Sequence, residues 1–299
     1  MNRSCTSLRI CYLGVPALTL VAVLLRCIAL FRCFDASIGY FKSGVLSIMC
    51  DVLCVAAAVL PFVCAVIMSK ADMPALKAHT QPVVAKPHAA GIIPAAVMVT
   101  AAVMFFVLYR NPGAGTQYSS PKLLIWMFAT GLFAAVFFAA RCGLKIGTSA
   151  TVLLGFVVIA WAILAVGYTY FDLYTTMNSP IKVALQFGLL AAMLTVTSEI
   201  RALLGRYAPR SGLFFTCLAV FFGFYASVPT LVAHFAVARQ TTVHFLIACT
   251  LLAVAIYETV RFVNLVLCYD GREDSAIEST DNESPAVESD DAPSAGGES

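Results

Sequence analysis

The 25 residues from Gly44 to Met68 decide the fold class, because they form an apolar run with one charged side chain. They read GVLSIMCDVLCVAAAVLPFVCAVIM, and the charged residue is Asp51. A helix rises about 1.5 Å per residue and the hydrocarbon core of a bilayer is about 30 Å thick. The stretch therefore predicts a transmembrane helix.

Seven further runs of this kind occur along the chain. Hydrophobic residues make up 61% of the 299 residues and charged residues 12%, whereas an ordinary soluble domain carries about 25% charged residues. Backbone groups in lipid need partners within their own segment, which favours helices. We predict an all-α polytopic integral membrane protein, a bundle of about eight transmembrane helices within residues 1–268. The predicted spans are Ile10–Phe31, Gly44–Met68, Ile92–Tyr109, Leu123–Ala140, Ala150–Tyr170, Val183–Leu204, Leu213–Phe235 and Val243–Leu267.

The two ends of the chain differ in character. The first run is interpreted as a retained helix and not as a signal peptide, because Arg26 and Arg32 follow without a clear cleavage site. Residues 269–299 hold ten carboxylates against Arg272 alone. Such a segment cannot bury apolar area, so we predict a disordered acidic tail.

The distribution of Lys and Arg predicts the orientation. The side that holds both termini carries eleven of these residues, and the other side carries six. Basic loops stay in the cytoplasm, so the pattern predicts cytoplasmic N- and C-termini in a multi-pass protein of the cell membrane. The general character of the sequence is that of a small bacterial integral membrane protein.

Residues 69–91 are interpreted as a solvated linker between spans, because their prolines and scattered charges disfavour a regular helix. His79 and His88 lie in this linker, and His234 and His244 flank the last loop between spans. None of them has a partner at ligand spacing, so we interpret them as ordinary wetted residues. The eleven cysteines include no CxxC pair and lie mostly in apolar runs, so the sequence predicts no metal site and no cofactor.

Ionisable groups at membrane depth define a first candidate site. Glu199 lies near the cytoplasmic end of the sixth predicted span, and Arg261 lies at a matching depth in the eighth. Glu258, Arg261 and Asn264 step by three residues and share one helix face. We predict an ionic network in which Glu199 meets Arg261 and Glu258 braces Arg261 within its own helix.

A second candidate lies at the opposite end of the first two spans. Arg26 and Asp51 sit at similar depths below the outer surface, which predicts an ion pair between neighbouring helices. Two interpretations stay open for both sets of charges. They hold helices together, or they form a path for an ion or a substrate.

Small residues recur every four positions on the fourth predicted span, at Gly131, Ala135, Ala139 and Gly143. Such a stripe lets another helix approach closely. It favours a helix buried in the bundle, and the alternative is a contact with a second copy or a membrane partner. The lipid bilayer is the expected environment, and nothing indicates a nucleic acid.

The sequence lacks a P-loop, a GxSxG elbow, an HExxH pair and a soluble domain. These absences favour a non-enzyme with no catalytic residues. The first hypothesis for function is an accessory, sensory or envelope-associated membrane subunit. The alternative is a small secondary transporter that uses the intramembrane Glu/Arg site.

Overall fold

The computed structural model is an all-helical bundle, and it describes residues 3–35, 39–42, 44–68, 70, 73–111, 121–173, 176, 179–236 and 241–281. Eight of its helices are long and apolar enough to cross a membrane, which confirms the predicted class of polytopic membrane protein. These helices are α1 Arg3–Arg32, α2 Val45–Ile67, α4 Ile92–Arg110, α5 Pro121–Cys142, α6 Thr148–Phe171, α7 Pro180–Leu203, α8 Pro209–Ala236 and α9 Thr242–Asp281.

Three short elements join these helices. A two-stranded antiparallel hairpin, β1 Phe34–Asp35 and β2 Tyr40–Phe41, follows α1. Helix α3 covers Met73–Ala85, and a 3-10 turn at Ala89–Gly91 leads into α4.

The prediction of a solvated linker over residues 69–91 is wrong where α3 forms. Leu76, Thr80 and Val84 recur every four residues and are buried, so one face of α3 packs against α7, α8 and α9. Pro82 lies inside this helix. The three apolar or small side chains on one face supply enough packing to overcome the proline, which sequence reasoning weighted too heavily.

Helix α9 continues past the predicted end of its span at Leu267. Its backbone is helical as far as Asp281, which lies inside the predicted acidic tail. Residues 282–299 lie outside the described residues. Disorder of the tail stays a prediction.

Helices α7, α8 and α9 form the centre of the bundle. In α9, 67% of the most apolar window is buried, against 28% in α2. Helix α8 packs against α1, α2, α7 and α9. Helices α4, α5, α6 and α7 pack against one another in chain order, and α4 and α7 also contact α9. The central helices are thus also the ones whose polar side chains are shielded from lipid.

The small-residue stripe on α5 serves packing within the chain. Gly131 and Ala135 are buried. A Cβ on Gly131 would lie 3.2 Å from the Cβ of Ala102 on α4, so the glycine permits this close approach. Gly143 is exposed beyond the end of α5 at Cys142. A contact with a second copy or another protein through the stripe stays a prediction.

Because the eight spans alternate in direction, the start of α1 and the end of the span of α9 lie on one side of the bundle. We call this side, which holds the ends of α5, α7 and the span of α9, the near side. The opposite side, which holds the hairpin and the starts of α7 and α9, is the far side.

Candidate functional site

The near-side cluster consists of four charged side chains, Arg141, Glu199, Glu258 and Arg261. Arg261 Nη1 lies 2.8 and 2.9 Å from the two carboxylate oxygens of Glu258, three residues earlier on α9. The same nitrogen donates to Glu199 Oε1 on α7. Glu199 and Glu258 are fully buried and Arg261 is 7% exposed. The structure thus brings together the three charges that the sequence nominated.

Arg141 is the member of this cluster that sequence reasoning missed. It directly follows the predicted span Leu123–Ala140, the position of a loop arginine, but it is 2% exposed and its Nε donates to Glu199 Oε2 over 2.9 Å. The Tyr257 hydroxyl lies 3.4 Å from the same carboxylate oxygen. Two arginines and two glutamates make the cluster neutral as a whole, which lowers the cost of burying it.

Arg141 also fixes the chain between α3 and the 3-10 turn. Its Nη1 donates to the carbonyl of Ala85 over 2.7 Å, and its Nη2 donates to those of Val84 and Lys86 over 2.5 and 3.2 Å. These three carbonyls belong to the end of α3, where intrahelical donors run out. In the sequence, no local pattern distinguishes Arg141 from an arginine in the loop after the predicted span Leu123–Ala140.

His88 and Asn264 extend the near-side cluster toward the surface. The amide Nδ2 of Asn264 lies 3.4 Å from His88 Nδ1, and His88 Nε2 lies 3.2 Å from the carbonyl oxygen of Val83. Asn264 therefore contacts His88 and not Arg261 in the described contacts. The interpretation of His88 as a linker residue without a partner is wrong, because α3 carries it back onto α9.

Two groups outside the spans have shifted pKa values near this cluster. Burial lowers the pKa of His88 from its usual 6.5, and the neighbouring guanidiniums of Arg261 and Arg141 add to the effect. Burial raises the pKa of Tyr207 to about 12. Both side chains are therefore neutral at pH 7.

The cavity that the described residues form beside the near-side cluster is small. The cavity that Arg261 lines together with Val84, His88 and Phe262 has a volume of about 10 Å³, the size of one water molecule. Arg261 Nε has no hydrogen-bond partner in the described part of the chain. A single water is the largest guest that this cavity accepts.

A far-side cluster, missed by sequence reasoning, joins α6, α7 and α9. Lys182 Nζ donates to the carbonyl of Asp172 and lies 3.8 Å from its Oδ2, and His244 Nε2 lies 3.6 Å from the same oxygen. Asp172 is fully buried, and Lys182 and His244 are 3% and 2% exposed. The interpretation of His244 as a wetted residue is therefore wrong. The sequence hints at this cluster only in that an ionisable residue stands at the far end of three predicted spans.

Arg26 and Asp51 lie on the walls of one cavity. The guanidinium carbon of Arg26 lies 4.2 Å from the ring centre of Phe41, and Asp51 is exposed. Among the described residues, neither has an oppositely charged side chain within 4.0 Å. The predicted contact between them is therefore replaced by a shared cavity.

The described residues contain no group of three His, Cys, Asp or Glu side chains able to hold a metal ion. The nine cysteines with described side chains are free thiols. The fold and these clusters define the chain as a polytopic helical membrane protein with buried ion pairs. It matches no protein-family model, no curated protein and no solved structure.

Proposed function

We propose that this protein is a non-enzymatic membrane subunit of an accessory, sensory or envelope-associated kind. Its near-side cluster holds α5, α7 and α9 together and does not carry a substrate. The observation that carries this proposal is the closure of the cluster: each carboxylate meets a guanidinium inside it, and the cavity beside Arg261 measures about 10 Å³.

The alternative is a small secondary transporter that uses Glu199, Glu258 and Arg261. Transport sites lie at cavities where a substrate and water reach the charged groups in turn. The buried carboxylates here are fully enclosed by neighbouring helices, which supports the structural role over the transport role.

We further propose that the near side faces the cytoplasm of a bacterial cell. Arg141 is one of the eleven basic residues on the near side, and Lys182 is one of the six on the far side. Both are buried in ion pairs, so we leave them out when the orientation is predicted from Lys and Arg. Without them, ten basic residues on the near side stand against five on the far side, so the bias persists. A green fluorescent protein fused after Ser299 fluoresces if this orientation holds, and a C-terminal alkaline phosphatase fusion that is active instead would reverse it.

A partner in the membrane belongs to this proposal. Because Gly131 and Ala135 are covered within the chain, a second copy or another helix has access to the Ala139 and Gly143 end of the stripe. Crosslinking through a cysteine placed at Val136, an exposed neighbour of that stripe, tests this contact. If the protein stays at the monomer mass after crosslinking, this contact is contradicted.

The proposed role of the cluster is tested with Glu199→Gln and Glu258→Gln. Each change leaves a buried guanidinium with one carboxylate fewer, which costs about 3–5 kcal/mol when a buried pair is broken. We expect low abundance of folded protein and a lower free energy of unfolding, measured by SDS titration in mixed micelles and followed by tryptophan fluorescence.

Thr197→Val is the matched control, because Thr197 is an exposed polar residue of α7, the helix that carries Glu199. We expect it to change the unfolding free energy by no more than ~0.5 kcal/mol. Both glutamine variants folding as stably as the parent chain contradicts the structural role and favours the transport alternative.

A further inference from the structure

We propose that the cavity shared by Arg26 and Asp51 binds the headgroup and upper acyl chain of one zwitterionic phospholipid. Arg26 holds the phosphate and Asp51 holds the ammonium group. Lipid binding at this far-side cavity is separate from the structural role of the near-side cluster, and either holds without the other.

The cavity has the size and walls of a lipid site. Its volume is about 400 Å³, within the range of about 300–1,000 Å³ for small-molecule sites. Helices α2 and α7 form its two walls and α8 forms its floor. Val55 and Phe187 on these walls are 64% and 51% exposed, so the cavity opens sideways to the acyl chains of the bilayer. The main apolar lining residues are Val55, Val59, Val183, Phe187, Phe222 and Tyr225.

Arg26 supplies a buried positive charge without an anion. Its side chain is 5% exposed, and no carboxylate lies within 4.0 Å among the described residues. The rings of Phe41 and Tyr225 flank its guanidinium at 4.2 and 5.4 Å. A charge at this depth is costly without a counter-ion, and a guanidinium matches the oxygens of a phosphate. A cavity that opens toward the bilayer is next to phospholipids, whose headgroups carry such a phosphate.

The depth of Arg26 fits a headgroup near the far-side surface. Arg26 lies six residues before the end of α1, about 9 Å along the helix axis. Its guanidinium reaches Phe41 in the hairpin beyond α1, so the side chain extends toward that surface. Pro180, the first residue of α7, lines the same cavity. The polar end of the cavity therefore lies at the depth expected for the phosphate groups of the lipids.

Asp51 selects the kind of headgroup. It lies six residues into α2, at the depth of Arg26, and its exposed carboxylate lines the same cavity. A carboxylate here repels a headgroup whose only charge is the phosphate, and it attracts one that also carries an ammonium. The pair of opposite charges, separated by the cavity, thus matches the adjacent opposite charges of a zwitterionic head.

The full chain, purified and delipidated in detergent, is titrated with phosphatidylethanolamine and with phosphatidylglycerol, and bound lipid is counted by native mass spectrometry. We expect the parent chain to prefer phosphatidylethanolamine by about tenfold or more, the size of one charge-assisted contact. Asp51→Asn is expected to remove that preference while both lipids still bind. Arg26→Gln is expected to weaken both lipids by about tenfold or more.

Two further variants keep the test decisive if Arg26→Gln does not fold. Val55→Trp fills the opening from an exposed position and is expected to weaken both lipids without altering either charge. Arg110→Gln removes an exposed far-side arginine outside the cavity and is expected to change nothing. Equal binding of the two lipids by the parent chain overturns the proposal, as does a preference that survives Asp51→Asn or binding that survives Val55→Trp.

Discussion

The near-side and far-side clusters stabilise opposite ends of the same helices with different chemistry. The near-side cluster uses two guanidiniums, which stay charged at any pH that proteins meet. The far-side cluster places one ammonium, that of Lys182, and the imidazole of His244 around one carboxylate. The near side therefore balances two carboxylates with two guanidiniums, whereas the far side has a single ammonium for its carboxylate.

The two clusters also differ in what they hold. Arg141 reaches three main-chain carbonyls besides Glu199, so the near-side cluster joins α5, α7 and α9 to the end of α3. The far-side contacts join the end of α6 to the starts of α7 and α9. Loss of one residue should therefore weaken the near side more than the far side, because more elements depend on it.

The largest effect is expected for Arg141→Gln. It leaves Glu199 with one guanidinium and removes the donors for the carbonyls of residues 84–86, so we expect a loss of about 3–5 kcal/mol of unfolding free energy. SDS titration measures it. Arg201→Gln, which removes an exposed arginine near the same end of α7, is the control and should be neutral. An Arg141→Gln protein as stable as its control would remove the distinction between the two ends.

A smaller effect is expected for Lys182→Met. It removes a charged donor from Asp172, while His244 remains 3.6 Å from that carboxylate. We expect a loss of about 1–3 kcal/mol by the same titration. Lys122→Met provides the control, since Lys122 is an exposed far-side lysine near the start of α5. A loss larger than that of Arg141→Gln would contradict the expectation that the near side depends more strongly on one residue.

The smallest effect is a pH dependence from His88. Burial lowers its folded-state pKa below the unfolded value of 6.5, so the unfolded chain takes up the proton first as the pH falls. The contribution of neutral His88 to stability is therefore complete above about pH 7.5 and is lost as the pH drops through 6.5 toward the folded pKa. As the pH falls from about 7.5 to below 6.5, we expect the unfolding free energy of the parent chain to decrease more than that of His88→Gln. Parallel pH profiles of the two proteins would exclude this role.

Much of the fold was predictable, because the apolar runs are long and few charges interrupt them. The meeting of Glu199, Glu258 and Arg261 was predictable as well, since helix periodicity and equal depth place them on facing surfaces. Arg141 was not, because its position at the end of an apolar run looks the same as that of a loop arginine. Its burial depends on α3 folding back over it, which is a tertiary contact that no local pattern encodes.

The far-side cluster was hidden for a related reason. Asp172 follows one span, and Lys182 and His244 begin two others, so each looks like an interfacial residue by itself. Only the packing of α6, α7 and α9 turns three interfacial positions into a buried set. The cavity beside Arg26 depends in the same way on the separation of α2 from α7 across α8, a distance that hydropathy does not report.

Helix α7 is linked to α9 at both ends. At the far side Lys182 and His244 both lie beside Asp172, which follows α6, and at the near side Glu199 contacts Arg261 directly. The two fastenings are 17 residues apart along α7, about 25 Å at the helical rise. A one-turn slide of α7 along α9, about 5.4 Å, would break both at once. Among the described contacts, helices α1 and α2 have no ion pairs to a neighbouring helix at both ends, and they join the bundle by packing against each other and against α8.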